Sequence, residues 1–222
     1  MSTDASGGAA VEGRPRQPRA QRTRAALLRC ARAVFEERGF VDARVSEICD
    51  RAGVAHGSFY THFSDKEAVF AELVDTGLGE VLSAIAAEPR RGDAPADRIE
   101  RANRAYLRAY RRNAALMAVL EQVATISPRM LDTYLRSWGA FYDRLEAAID
   151  QWQRAGLVPG DVLPRYAAVA LATLVGRTAY TWMVLGEPYD EDTAVDQLTR
   201  LYCRAIGISP PAPPPRASAP TP

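Results

Sequence analysis

Residues 45–63 read VSEICDRAGVAHGSFYTHF, and the spacing within this stretch predicts two short helices joined by a tight turn. Val45, Ile48, Cys49 and Ala52 recur at steps of three and four, which puts them on one helical face. Gly53 follows at the position where helices end in a left-handed residue, and Val54 stands at the corner. In the second helix Phe59 and Phe63 are four apart and make one apolar stripe. At about 100° per residue, Gly57 and Thr61 point roughly the opposite way, with Ser58 and Tyr60 beside them. An apolar back, a small polar front and a glycine turn are what a helix needs to enter a DNA major groove.

Outward from this stretch, Gly39-Phe40 precede it and Asp65-Lys66-Glu67-Ala68-Val69-Phe70 follow. The composite of GF, V-x-x-I, AGV, GSFYTHF and DKEAVF resembles the DNA-binding module of TetR/AcrR-type bacterial repressors, over about residues 24–73. Four residues depart from the pattern of that family. Ala43 and Arg44 stand where it usually caps the first of these helices with Thr or Ser. Ala55 stands where it usually caps the recognition helix, and Thr61 replaces a common aromatic or basic residue. Each missing cap costs about 0.5–2 kcal/mol.

The resemblance implies an all-α chain: an N-terminal three-helix helix-turn-helix DNA-binding domain and a C-terminal helical bundle for ligand binding and dimerisation. On that reading His56, Gly57, Ser58 and Thr61 meet base edges. Arg22, Arg24, Arg44, Tyr60, His62 and Lys66 hold phosphates, which set register but carry no sequence information. The partners implied are a pseudo-palindromic double-stranded operator, a small-molecule effector and a second copy of the chain.

The chain has 222 residues, 47% of them hydrophobic, enough for a substantial core in one large or two small domains. A formal net charge of +1 argues against wholesale coating of nucleic acid, yet Arg14, Arg16, Arg19, Arg22 and Arg24 crowd one end. Lys66 is the sole lysine. Cys30, Cys49 and Cys203 are isolated and form no C-x-x-C, which reads as buried thiols in a reducing cytoplasm, with a redox sensor as the alternative. No apolar run suggests a leader or a membrane span, so the expected location is cytoplasmic.

Taken in order, residues 1–18 are Gly, Ala, Ser, Pro and Arg without periodicity, expected to be a disordered arm that either contacts DNA or is simply solvated. The DNA-binding domain is expected over 19–68, with its first helix at 19–38 closed by Gly39. Ser64-Asp65-Lys66-Glu67 is a capping-box signature for a helix running to Ile85. The second domain is expected over 69–208, with helices at 96–113, 114–126, 128–155, 161–185 and 191–208. The breakers are the loop at 88–95, Ser127-Pro128, Gly156, Pro159-Gly160 and Gly186-Glu187-Pro188. Residues 209–222 are Pro-rich, expected to be disordered or extended.

Bulky aromatics at helical spacing fit either a core or a pocket, and the family resemblance implies a pocket. Its candidate walls are Tyr106, Tyr110, Met117, Leu120, Leu131, Tyr134, Leu135, Trp138, Tyr142, Val175 and Thr178. These carry almost no charge, so the expected ligand is apolar or amphipathic with few charges. Residues 166–185 are apolar nearly all round, with Arg177 the one charge, which fits a helix buried on two sides. In the family the last two helices build a four-helix dimer interface, which here implicates Arg177, Trp182, Leu198, Leu201, Tyr202 and Ala205. A buried Arg177 would need a partner, with a carboxylate across the interface or a carbonyl preferred to a ligand carboxylate.

His56 and His62 are the only histidines and lie at the recognition helix, which removes the usual His base and His-containing metal sites. No nucleophile elbow, phosphate loop or dinucleotide fingerprint appears. No catalytic residue, metal or cofactor is therefore assigned. The expected function is a repressor released from its operator by a ligand. The alternatives are a ligand-independent DNA binder or activator, and a helical small-molecule-binding protein whose DNA module is vestigial.

Overall fold

A computed structural model describes residues 17–86 and 93–211. The expected arm lies outside them except for residues 17 and 18, as do most of the loop at 88–95 and most of the Pro-rich tail. Among the described residues the structure is helical throughout, with no strand.

The first helix, α1 (Gln17–Asp42), is longer than expected at both ends. Gly39 still breaks it: φ of 71° there puts a kink between the main helix and a last short turn. That kink returns Phe40 to the core, where its ring stacks on Phe35 at 5.6 Å and meets Phe70 edge-on at 5.2 Å. Leu27, Ala31, Val34 and Phe35 supply the buried stripe of α1.

Next come α2 (Val45–Ala52) and α3 (His56–Tyr60). Gly53 joins them at φ 65°, and its N–H and that of Val54 close on the carbonyls of Asp50 and Cys49. Arg44 and Ala55 precede these helices without a side-chain cap. Other contacts compensate. Arg51 of α2 grips Glu37 of α1 through both guanidinium nitrogens and also bonds Glu47.

The fourth helix, α4 (Lys66–Ala86), begins on a different cap from the one expected. Asp65, not Ser64, accepts the Ala68 N–H, at 2.7 Å. Glu67 does not close a box; its carboxylate accepts from Ser127 Oγ at 2.9 Å.

The helices expected at 96–113 and 114–126 are one helix, α5 (Pro95–Ala124). Asn113 at the supposed boundary is buried and donates to the Ala109 carbonyl within the helix. No Gly or Pro interrupts the ladder there. Ser127 caps α6 (Pro128–Arg154), with Pro128 in its first turn. Then follow α7 (Pro164–Met183) and α8 (Glu191–Ala205), the latter capped by Asp190. α5 is the central post: α1, α4, α6, α7 and α8 all pack on it. α8 is held along it by a buried Asn103–Thr199 hydrogen bond and by Arg108 and Arg111, which both bond Glu191.

Candidate nucleic-acid interface and sensor cavities

The two phenylalanines of the helix-turn-helix stretch are buried, Phe59 fully and Phe63 nearly so, with ring centroids 5.6 Å apart. His62 and Phe63 both donate to the Phe59 carbonyl, so the helical path runs on for about a turn beyond α3. On the opposite side His56, Gly57, Tyr60 and Thr61 are exposed, and Ser58 is half-buried. A Cβ built on Gly57 meets nothing within 4 Å, so the middle of this face is open. Thr61 Oγ1 donates to the Ser58 carbonyl at 2.7 Å, which orients its methyl group. The His56 and Tyr60 rings meet edge to face at 5.4 Å and make a small aromatic rim.

The residues expected to hold phosphates divide into two groups. Arg22, Arg44 and Tyr60 are exposed, and His62 is half-buried. Arg24 is engaged inside the chain. Its guanidinium pairs with Glu72 of α4 and lies over the Phe63 ring. Lys66 is engaged more completely. Its Nζ donates to the carbonyls of Phe40, Val41 and Ala43 at 2.8, 3.1 and 3.0 Å, and lies over the Phe40 ring. These are the orphan carbonyls left by the kinked end of α1, and they leave the ammonium no N–H for a phosphate. Burial pulls the Lys66 pKa below its ordinary value, against the raising effect of Asp42 and Glu67.

Two cavities among the described residues of the bundle bear on the site. The first, about 140 Å³, lies among α4, α5, α6, α7 and α8. Of the expected pocket residues it takes Tyr106 and Val175. It also takes Tyr202, which the sequence reading placed at a dimer interface. The second, about 340 Å³, lies among α5, α6 and α7 and takes Leu131, Tyr134, Trp138 and Tyr142 together with Glu121 and Arg177. Tyr110, Met117 and Leu120 line neither and are core. Leu135 is 57% exposed, and Thr178 Oγ1 is turned back to the Leu174 carbonyl.

Sequence reasoning missed Arg98, Asn103, Arg144 and Trp152, which stand on the wall of the first cavity. The signal was there in small residues. Ala102, Ala148 and Ala172 line the cavity from three helices, and larger side chains there would take up the space.

The expected dimer residues also divide. Leu198 and Tyr202 are buried within the chain, and Trp182 is half-buried beneath the Arg111 guanidinium. Arg177 is not a buried charge: its side chain is 60% exposed, stacks on Tyr180 and pairs with Glu121 of the same chain at 3.6 Å. Leu201 and Ala205 are exposed. The larger exposed apolar surface is on α7 and just before it: Leu163, Tyr166, Val169 and Leu174.

Cys49 and Cys203 are buried, and burial pushes both thiols up. No group of three His, Cys, Asp or Glu among the described residues is placed to hold a metal, and no helix there is long and apolar enough to cross a membrane.

Comparison with known proteins decides the lineage. The family profile described as bacterial regulatory proteins, tetR family, matches residues 27–73, from the first buried leucine of α1 into α4. Over residues 27–73 the chain is similar to the TetR family. The uncharacterized HTH-type transcriptional regulator YdgC of Bacillus subtilis is 52% identical to this chain over 52 residues, which are 23% of the chain and 27% of YdgC. The chain thus spans about a quarter of the length of that relative. AcrR of Shigella flexneri is 24% identical over 187 residues, covering 77% of the chain and 83% of AcrR. A crystal structure of a transcriptional regulator from Rhodococcus sp. Rha1 is similar at a TM-score of 0.66 and 26% identity, over 86% of this chain and 99% of that one. The profile and these relatives are described as regulatory proteins and transcriptional regulators.

Proposed function

We propose that the protein is a cytoplasmic repressor that binds a pseudo-palindromic operator as a two-fold dimer and leaves it when an apolar or amphipathic molecule occupies the bundle. The observation that carries the DNA reading is the open face of α3. Gly57 and Thr61 are exposed directly behind the buried Phe59–Phe63 pair, so the helix is anchored on one side and bare on the other. His56, Gly57, Ser58 and Thr61 then meet base edges, while Arg22, Arg44, Tyr60 and His62 serve the phosphates. Two such helices read half-sites about 34–36 Å apart. We assign residues 19–68 to DNA binding and 69–208 to sensing and dimerisation.

A physical route joins the two parts. Lys66, at the first turn of α4, holds the end of α1 through three carbonyls. On the same turn Asp65 accepts from Arg129 of α6 at 2.9 Å, and Glu67 accepts from Ser127 just before α6. Farther along, α6 walls both cavities. A ligand that moves α6 therefore moves the base of the helix-turn-helix. It shifts the equilibrium only if it binds the released conformer more tightly than the bound one.

The test uses DNA upstream of the protein's own gene and the variant Gly57→Ala. Because the Cβ meets nothing, the variant should melt no lower than the parent. It should nonetheless bind the operator at least tenfold more weakly, since the methyl group occupies the base-reading face. Equal operator affinity in parent and variant would remove α3 from the interface. Binding that no small apolar compound reverses would favour a ligand-independent DNA binder.

A further inference from the structure

The first cavity is apolar along most of its wall, yet two guanidinium groups stand on it, Arg98 of α5 and Arg144 of α6. Neither forms an ion pair among the described residues. The carboxylates spaced along this part of α6 are engaged elsewhere: Asp143 and Glu146 by Arg165, Asp150 by Arg154. Arg98 lies over the Trp152 ring with 5.3 Å to the centroid, and a stacked guanidinium keeps its N–H donors available in its own plane. Arg144 is exposed, so the charged end of the cavity is its solvent end.

The other end is dry and carries an unmet hydrogen bond. Tyr106 is eight residues beyond Arg98 on α5, about 12 Å along the axis. Its phenol is buried beside Phe141, and its Oη has no hydrogen-bond partner. Burial pushes this phenol well above its ordinary pKa, with smaller contributions from neighbouring tyrosines and Glu121, so it remains an O–H donor. A buried hydroxyl without a partner is an exception in folded proteins and points to a guest atom.

We propose that the cavity takes an amphipathic monocarboxylate: the carboxylate at Arg98 and Arg144, an apolar chain or ring between the alanine-lined walls, and its far end against Tyr106. The planar guanidinium fork matches a carboxylate, and a cationic guest would face two uncompensated charges of its own sign. The inference rests on the reading of this cavity as the sensor, and it narrows the expected apolar or amphipathic ligand with few charges to one with a single negative head.

The experiment measures binding of octanoate, 1-octanol and octyltrimethylammonium to the full chain by calorimetry at one pH and salt concentration. Octanoate should bind at least tenfold more tightly than octanol, and the cation most weakly. In Arg98→Gln/Arg144→Gln the octanoate preference should fall to near unity with octanol affinity unchanged. Arg144→Glu, a change at an exposed residue, should favour the cation over octanoate. Octanol bound as tightly as octanoate by the parent, or a preference that survives the double substitution, would overturn the anionic head and leave the cavity reading intact. If none of the three binds, the sensor cavity falls and the inference with it.

Discussion

Lys66 shows how a lysine expected at a phosphate can find partners inside its own chain. The lysine stands at a helix N-terminus next to a DNA-binding helix, a position that favours anions. The kink at Gly39 leaves three carbonyls converging on the same point, and the ammonium takes those instead. No sequence pattern announces that convergence, because it depends on how the last turn of α1 folds back. Lys66→Met should therefore lower stability by about 1–3 kcal/mol. Arg22→Ala should leave the melting temperature in place and reduce the slope of log affinity against log salt by about 1. Thermal melts and a salt titration of operator binding on both variants check the assignment; a reduced slope for Lys66→Met would restore the lysine to the DNA surface. Phe59, Phe63, Gly53 and Gly57 were legible from the sequence, because their roles follow from local spacing alone. Arg24 was not, because Glu72 lies a whole motif away.

At the level of elements, helix type and order were legible and length was not always so. The boundary expected at Asn113 has no glycine or proline behind it, and the backbone ladder of α5 runs straight through it. The cavities were harder still. A void is marked by what is small, and the eye goes to what is large, so Tyr134 and Trp138 drew the pocket toward one end of α6. The packing of α7 on α6 has one close point. A Cβ on Gly176 would lie 3.0 Å from the Trp138 ring and 3.3 Å from Tyr106 Oη. Tyr106 belongs to the wall of the first cavity, Trp138 and Gly176 to that of the second, so this contact is the partition between them. Gly176→Ala should displace the Trp138 ring, at a cost of about 1–3 kcal/mol. Its signature is a shifted tryptophan emission maximum with operator affinity in the absence of ligand unchanged. An unaltered emission spectrum and melting temperature would mean that the partition is soft.

At the scale of the whole molecule, the proposed function calls for a second copy. α7 buries Ala167, Ala168, Leu171 and Val175 against its own bundle and leaves Tyr166, Val169 and Leu174 on the outside. Leu201 of α8 is also uncovered. The sequence showed that α7 has two apolar sides, and that expectation of a doubly buried helix needs a partner to be met. It misjudged which residues of α8 point outward, because Leu198 and Tyr202 share its apolar stripe with the core of their own chain. A single charge on the outer face, Leu174→Glu, should convert a dimer to a monomer in sedimentation and weaken operator binding at least tenfold, while the melting curve of the monomer stays cooperative. A variant that sediments like the parent would place the contact between copies on another surface.

The lone lysine has one more consequence. Amine-selective reagents attack its side chain only when the nitrogen gives up a proton and its hold on at least one of the three carbonyls at the joint between the helix-turn-helix and the bundle. The rate of acylation at Lys66 is therefore a clock for that opening, readable by mass spectrometry in the intact chain. Comparing the clock with and without operator, and with and without an effector, would report the traffic between the two ends of the protein without any engineered probe.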